Sequence, residues 1–130
     1  MYIYSIMPGL EKTFLSLLQE DITKYKYFVE TGTLYGFTIL NMEPLFEKLY
    51  TIEVDKNLWE KAKNKYSDKT KIEFIHGDSS KEIGKLINDK LNKNTIFFLD
   101  GHYSSGVTSF GEKHVPLYEE LESINKFFKN

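Results

Sequence analysis

Hydrophobic residues along the chain follow two periodicities, one typical of strands and one typical of helices. Four short β-prone runs carry the strand pattern, at 25–29, 49–54, 72–75 and 94–99. Around them, apolar residues recur every three or four positions, as on one face of a helix. The predicted helices cover 8–22, 38–42, 57–66, a segment from Ser79 or Ser80 to about Leu91, and 116–128. Strands that alternate with helices favour a parallel sheet with right-handed crossovers, so the pattern predicts an α/β fold with about four strands.

Local signals refine the ends of these elements. Pro44 disfavours helical geometry at Glu43, so the helix before it should kink or restart there. Asp55 directly precedes the helix over 57–66 and is predicted to cap its first backbone N–H groups. Asp78 precedes the next helix in the same way, and both capping and ligand binding are open to it; Ser79 or Ser80 could also cap this helix.

Length and composition predict one domain over residues 1–130, made of an N-terminal helical segment (1–24) and an α/β core (25–130). The 130 residues are 41% hydrophobic and 15% aromatic, which is enough for a buried core. The chain contains no cysteine, which excludes disulfides, thiol catalysis and cysteine–zinc sites. No apolar run is long enough for a membrane span, and no secretory signal is visible, so we expect a cytoplasmic protein without a membrane partner.

The charge pattern argues against nucleic acid as a partner. Nineteen acidic residues face seventeen basic ones, for a net charge of −2, and every basic residue is lysine. Proteins that bind nucleic acids normally carry a basic excess and use arginine to contact phosphates and bases.

Acidic residues stand where the predicted strands end. They are Glu30, Glu53, Asp78 and Asp100. In an open parallel sheet, ligands bind at the carboxyl ends of the strands, so these side chains are expected to meet at one site.

The first of these acids leads into a glycine-rich turn. Glu30 is followed by Gly32 and Gly36, and glycine allows sharp turns and a close approach of the backbone to a ligand. The spacing differs from the Gly-x-Gly-x-x-Gly of pyrophosphate binders, and no P-loop lysine follows. A carboxylate ahead of the turn favours a cationic ligand over a pyrophosphate. Glu53, 21 residues after Gly32, can accept two ribose hydroxyls, and Asp78 can accept an adenine amino group.

The run from about Tyr25 to Leu121 resembles the class I S-adenosylmethionine-dependent methyltransferases. Four segments carry the resemblance: Val29-Glu-Thr-Gly-Thr-Leu-Tyr-Gly36, Tyr50-Thr-Ile-Glu-Val-Asp55, His76-Gly-Asp-Ser79 and Phe97-Phe-Leu-Asp-Gly-His102. The resemblance implies a Rossmann-like, doubly wound parallel sheet and S-adenosylmethionine as the cofactor. By position, it implies cofactor contacts from Glu30, Thr31, Gly32, Thr33, Gly36, Glu53, Asp78, Ser79 and Asp100.

The resemblance also implies a reaction. Asp100 and His102 would face the acceptor as the catalytic residues, with His102 taking the proton of an attacking hydroxyl, although a loop histidine can also serve only as a hydrogen-bonding group. The ring of Tyr103 could lie against the positively charged sulfur of the cofactor as a cation–π partner. Asp100 and His102 could hold a divalent metal, but two ligands are too few to predict one.

We expect O-methylation of a small-molecule acceptor; a cofactor-binding module without turnover and a nucleotide- or dinucleotide-binding enzyme are the alternatives.

The sequence departs from the family at its C-terminal side. The family fold has seven strands, whereas this sequence ends after the helix that follows the fourth predicted strand. The strand over 94–99 would then be a long apolar edge, and such edges promote association. We therefore expect either a homo-oligomer or coverage of this edge by the last helix.

Overall fold

A parallel five-stranded sheet forms the centre of the chain. The computed structural model describes residues 2–4, 22–91, 94–99 and 117–129. In this part of the chain the strands are β1 (Tyr2–Tyr4), β2 (Tyr27–Thr31), β3 (Lys48–Glu53), β4 (Ile72–His76) and β5 (Thr95–Leu99). Their order across the sheet is β1-β5-β2-β3-β4, and all four pairings are parallel. The predicted doubly wound α/β architecture is confirmed.

Helices connect the strands where the periodicity predicts them. The described helices are α1 (Phe37–Met42), α2 (Lys56–Lys65), α3 (Ser79–Asp89) and α4 (Leu117–Lys129). Two short 3₁₀ turns cover Ile22–Lys24 and Glu43–Leu45. The predicted helix over 8–22 lies, except for its last residue, outside the described residues.

The predicted boundary signals at Pro44 and Asp55 are confirmed. Helix α1 ends at Met42, and the chain continues as the 3₁₀ turn that contains Pro44 near its start. The side chain of Asp55 accepts hydrogen bonds from the backbone N–H groups of Asn57 and Leu58 at 2.8 and 3.1 Å. It therefore caps helix α2.

Helices cover both faces of the sheet, and each face has its own apolar core. Helix α1 packs on one face, where the buried side chains are Tyr25, Phe28, Ile39, Met42, Phe46, Leu49, Ile72, Ile96 and Phe98. Helices α3 and α4 pack on the other, with Val29, Tyr50, Ile52, Ile83, Leu86, Ile87, Leu91, Phe97, Leu99 and Ile124. Every residue of β5 is buried, as expected for a central strand of a parallel sheet.

Strand β1 corrects two expectations about the edges of the fold. Tyr2–Tyr4 is a strand, so residues 1–24 are not an entirely helical segment. It pairs in parallel with β5, and Ile3 lies opposite Phe97. Strand β5 is therefore not an edge, and neither a second subunit nor the last helix is needed to cover it. The homo-oligomer stays a prediction.

No helix in the described part of the chain is both long enough and apolar enough to cross a bilayer.

Candidate functional site

The carboxyl ends of four strands meet at one edge of the sheet. Thr31, the last residue of β2, lies opposite Ile52 in β3 and Leu99 in β5. Glu53, the last residue of β3, lies opposite His76, the last residue of β4. This alignment brings the ends of the four strands to a single edge of the sheet, and Glu30, Glu53 and Asp78 lie in or directly after three of these ends, as the sequence predicts.

The loop between β2 and α1 is a tight turn with three left-handed residues. Gly32, Leu34 and Gly36 have φ angles of 85°, 50° and 85°. The backbone N–H of Gly32 donates to the carbonyl of Ile52 at 2.7 Å, and that of Gly36 donates to the carbonyl of Thr33 at 2.9 Å. Glycine alone adopts a left-handed conformation without strain, which explains why positions 32 and 36 of this turn are glycine.

Gly36 also lacks space for a side chain. A Cβ atom at this position would lie 2.7 Å from Cε2 of Tyr66, closer than real Cβ contacts come. The Tyr66 hydroxyl donates to the carbonyl of Tyr35 at 3.4 Å, so its ring is held against the turn. Gly36 therefore allows the residues after α2 to pack directly on the start of α1.

Glu53 joins two of the loops at the carboxyl edge. Its side chain is fully buried, at 0% exposure. One carboxylate oxygen accepts the backbone N–H of Leu34 at 2.9 Å, and the other accepts that of Asp55 at 3.0 Å. Each oxygen retains a second lone pair, so Glu53 can still accept two hydroxyls. A ribose would first have to displace the atoms that now cover the carboxylate.

Glu30 anchors a buried relay of hydroxyl groups. The Thr51 hydroxyl donates to Oε1 of Glu30 at 2.7 Å, and the hydroxyl oxygens of Thr33 and Thr51 lie 2.6 Å apart. Because Thr51 has only one proton, Thr33 must be the donor in the second bond. All three side chains are buried, as is Thr31. The relay fixes the Thr33 side chain of the turn to the sheet.

Asp78 takes the capping role that the sequence leaves open. Its Oδ1 accepts the backbone N–H of Ser80 at 2.9 Å and the Ser80 hydroxyl at 2.7 Å. Asp78, rather than Ser79 or Ser80, is therefore the cap of helix α3. Ser79 is the first residue of that helix and is 9% exposed.

Ser79 contacts an acid that the sequence does not single out. Its hydroxyl donates to Oε1 of Glu120, in the first turns of α4. Glu120 is fully buried, and its Oε2 has no hydrogen-bond partner in the part of the chain that the structure describes. Burial raises the pKa of Glu120 to about 7; the Ser79 hydrogen bond opposes this rise, and the charges of Asp78 and Glu119 add to it.

Large apolar side chains lie exposed on these same loops. Tyr35 in the glycine turn and Phe37, the first residue of α1, are 66% and 67% exposed, and their ring centroids are 6.1 Å apart. Val54, directly after Glu53, is also exposed. The carbonyl oxygen of Val54 lies 3.1 Å from Nε2 of His76, so the residue after β3 contacts the last residue of β4.

The two predicted catalytic residues, Asp100 and His102, lie outside the described residues, as does Tyr103. The described residues contain no group of three or more acidic or histidine side chains that could share a metal ion.

Comparison with protein families identifies the chain. The model of a family described as O-methyltransferase matches residues 4–120. The chain belongs to the O-methyltransferase family. This match covers all the strands from β2 to β5 and confirms the resemblance to class I methyltransferases. Comparison with curated proteins finds no significant match.

Solved structures share the fold of this O-methyltransferase-family chain. One is the O-methyltransferase from Bacillus cereus in complex with SAH, with a TM-score of 0.55, 14% sequence identity and 83% of this chain covered. Another is the O-methyltransferase TomG from Streptomyces achromogenes, involved in tomaymycin synthesis, in complex with SAM, with a TM-score of 0.55, 13% identity and the same coverage. The chain spans 62% and 61% of the lengths of these two proteins.

Proposed function

We propose that this chain binds S-adenosylmethionine at the carboxyl edge of its sheet and transfers the methyl group to an oxygen of a small-molecule acceptor. The observation that carries the proposal is the position of Glu30, Gly32 and Glu53 on adjacent strand ends, joined by the left-handed turn. Membership of the O-methyltransferase family and the SAH and SAM complexes of structurally similar proteins support it.

The residues at this edge fit a cationic nucleoside. In this proposal, Glu30 complements the positive charge of the methionine part, and Thr31, Gly32, Thr33 and Gly36 form the turn that the ligand approaches. Glu53 accepts the ribose hydroxyls, and Ser79 and Asp78 flank the adenine. The buried carboxylate of Glu30 lies in an environment where charges are weakly screened, which strengthens its attraction for a cation.

The chemistry that the cofactor supplies is a methyl group on a positively charged sulfur. The acceptor oxygen forms a bond to the methyl carbon while the carbon–sulfur bond breaks, and that bonding pair stays on sulfur. The protein places the acceptor in line with the methyl group, and such placement contributes a large part of the acceleration. In this proposal His102 takes the acceptor's hydroxyl proton and Asp100 orients His102.

Calorimetry with four ligands tests the cofactor. We expect S-adenosylmethionine and S-adenosylhomocysteine to bind with one site per chain, and NAD and ATP to give no comparable heat.

A variant tests the role of the Glu30 charge. Glu30→Gln keeps the shape of the side chain and the hydrogen bond from Thr51 but removes the charge. It should weaken binding of S-adenosylmethionine at least about tenfold, because hydrogen bonds to charged groups contribute about 1.5–3 kcal/mol. The matched control is Glu60→Gln, on the exposed face of α2, which should bind as the parent does.

Methyl transfer is tested separately with labelled S-adenosylmethionine and a panel of hydroxyl-bearing acceptors, with and without magnesium. Methyl transfer in the parent chain that falls in Glu30→Gln along with cofactor affinity supports the enzyme. Binding of S-adenosylmethionine without methyl transfer to any acceptor would favour the alternative of a cofactor-binding module without turnover. Tight binding of NAD or ATP in place of the sulfur nucleosides would overturn the proposal in favour of a nucleotide enzyme.

A further inference from the structure

Glu120 is a buried acid with no compensating cation among the described residues. Within the described part of the chain, the charged groups that act on its pKa are acidic: Asp78 ahead of α3 and Glu119 beside it on α4. Its Oε1 accepts the Ser79 hydroxyl, and no described residue hydrogen-bonds to its Oε2. A buried carboxylate with a bare oxygen is costly to folding. The hydrogen bond from Ser79 links Glu120 to the first residue of α3, at the edge of the sheet where the proposed site lies.

The hydrogen bond between these two residues controls what Ser79 can offer a ligand. A serine hydroxyl has one proton and two lone pairs. While Glu120 is ionised, the proton of Ser79 points at Glu120, and Ser79 can only accept a hydrogen bond from a ligand. Once Glu120 carries a proton, it can donate to Ser79, and the serine proton is free to donate elsewhere.

We propose that Glu120 is a positioning residue that makes Ser79 an acceptor for the amino group of a 6-aminopurine and so sets the purine preference of the cofactor site. This inference rests on the proposed function, in which Ser79 flanks the adenine. The exocyclic group of adenine donates hydrogen bonds, whereas the 6-oxo group of hypoxanthine accepts them. Ionised Glu120 therefore favours adenine, and protonated Glu120 relaxes that preference.

The preference changes with pH in a predictable direction. Burial places the titration of Glu120 near neutral pH. Above that range Ser79 is held as an acceptor, and below it Ser79 can also donate. The selectivity for an adenine over a hypoxanthine nucleoside should thus fall as the pH is lowered from 8 to 6.

The test compares S-adenosylhomocysteine with S-inosylhomocysteine by calorimetry at pH 6 and pH 8. In the parent chain we expect the ratio of the two affinities to be about three- to tenfold larger at pH 8, since one neutral hydrogen bond contributes about 0.5–1.5 kcal/mol. Glu120→Gln keeps an acceptor for Ser79 but has no proton to gain, so its ratio should not change between the two pH values. Ser79→Ala should likewise lose the pH dependence. Glu122→Gln, an exposed position on α4 that pairs with Lys126, should retain it.

The outcomes separate this inference from the function on which it rests. Binding of S-adenosylhomocysteine with a ratio that is independent of pH overturns the role of Glu120 and leaves the proposed function standing. The same pH dependence in Glu120→Gln as in the parent also overturns it, because the variant has no carboxyl group at position 120 to titrate. Failure of the parent to bind S-adenosylhomocysteine at either pH overturns the proposed function and this inference together.

Discussion

The carboxylate of Glu53 accepts the backbone N–H of Leu34 at 2.9 Å, and Leu34 is the one non-glycine residue in the described part of the chain with a positive φ. A side chain in this conformation costs about 1–3 kcal/mol and persists only where the surroundings hold it. The hydrogen bond to Glu53 helps to hold Leu34 in this conformation. The acid proposed to bind ribose therefore also shapes the turn proposed to bind the methionine part.

Substitution of Glu53 is expected to affect stability as well as binding. Glu53→Gln replaces one acceptor oxygen by a donor, so the N–H of Leu34 or Asp55 loses its partner. We expect a loss of about 1–3 kcal/mol in the free energy of unfolding, and a larger loss for Glu53→Ala, which removes both acceptors. Urea denaturation measures this loss. Calorimetry on the folded variant then tests the ribose contact, and an unchanged affinity for S-adenosylhomocysteine would leave Glu53 with a structural role alone.

Two glycines should respond in opposite ways to alanine. Gly36→Ala places a Cβ against the Tyr66 ring and requires a left-handed alanine, so it should destabilise the chain by at least about 1 kcal/mol. Gly84 lies inside α3 with open space around it. Gly84→Ala should be neutral or stabilise the chain by up to about 1 kcal/mol through helix propensity. Equal melting temperatures for the two variants would show that the turn does not need glycine at position 36.

The hydroxyl relay can be removed without changing the shape of Thr51. Thr51→Val removes the hydroxyl that donates to Glu30 and accepts from Thr33, and both of these residues are buried. We expect a loss of about 1–3 kcal/mol in the free energy of unfolding and weaker binding of S-adenosylmethionine. Thr51→Ser keeps the hydroxyl and should retain most of that affinity. If the valine variant binds as well as the serine variant, the relay does not support the site.

Glu120 should make the stability of the chain depend on pH. Its pKa is raised from 4.5 to about 7, so the folded chain keeps a proton that the unfolded chain releases. The free energy of unfolding therefore falls as the pH rises from about 4.5 to about 7 and then levels off, with an upper limit of about 3 kcal/mol from this group. Glu120→Gln should be more stable than the parent at pH 8 and differ less at pH 4.5. Parallel stability–pH curves for the two proteins would contradict the assignment.

The sequence predicts the fold well where its patterns are long. The apolar run of β5 and the apolar stripe of α3 each place several buried residues, and the acids at the strand ends follow from the same alternation of strands and helices. Strand β1 is only three residues long, too short to give a periodic signal. Its pairing with β5 depends on tertiary contacts that no local pattern encodes.

Two polar residues of the site escape prediction for a related reason. Thr51 matters because it lies opposite Glu30, and strand register cannot be read from either strand alone. Glu120 stands in a Glu-Glu pair at the start of a helix, which is typical of an exposed, helix-favouring position. Only the packing of α4 on α3 shows that one of the two acids is buried against Ser79.

The measurement that tests the central claim most directly is an amide NMR titration of the chain with S-adenosylhomocysteine. We predict that the backbone signals of Gly32, Leu34, Asp55 and Ser79 shift together with a single affinity. Those of Asn64 and Ser67, which line a separate surface cavity of about 450 Å³, should stay in place. Shifts confined to that cavity, or no shifts at saturating ligand, would contradict a cofactor site at the carboxyl edge of the sheet.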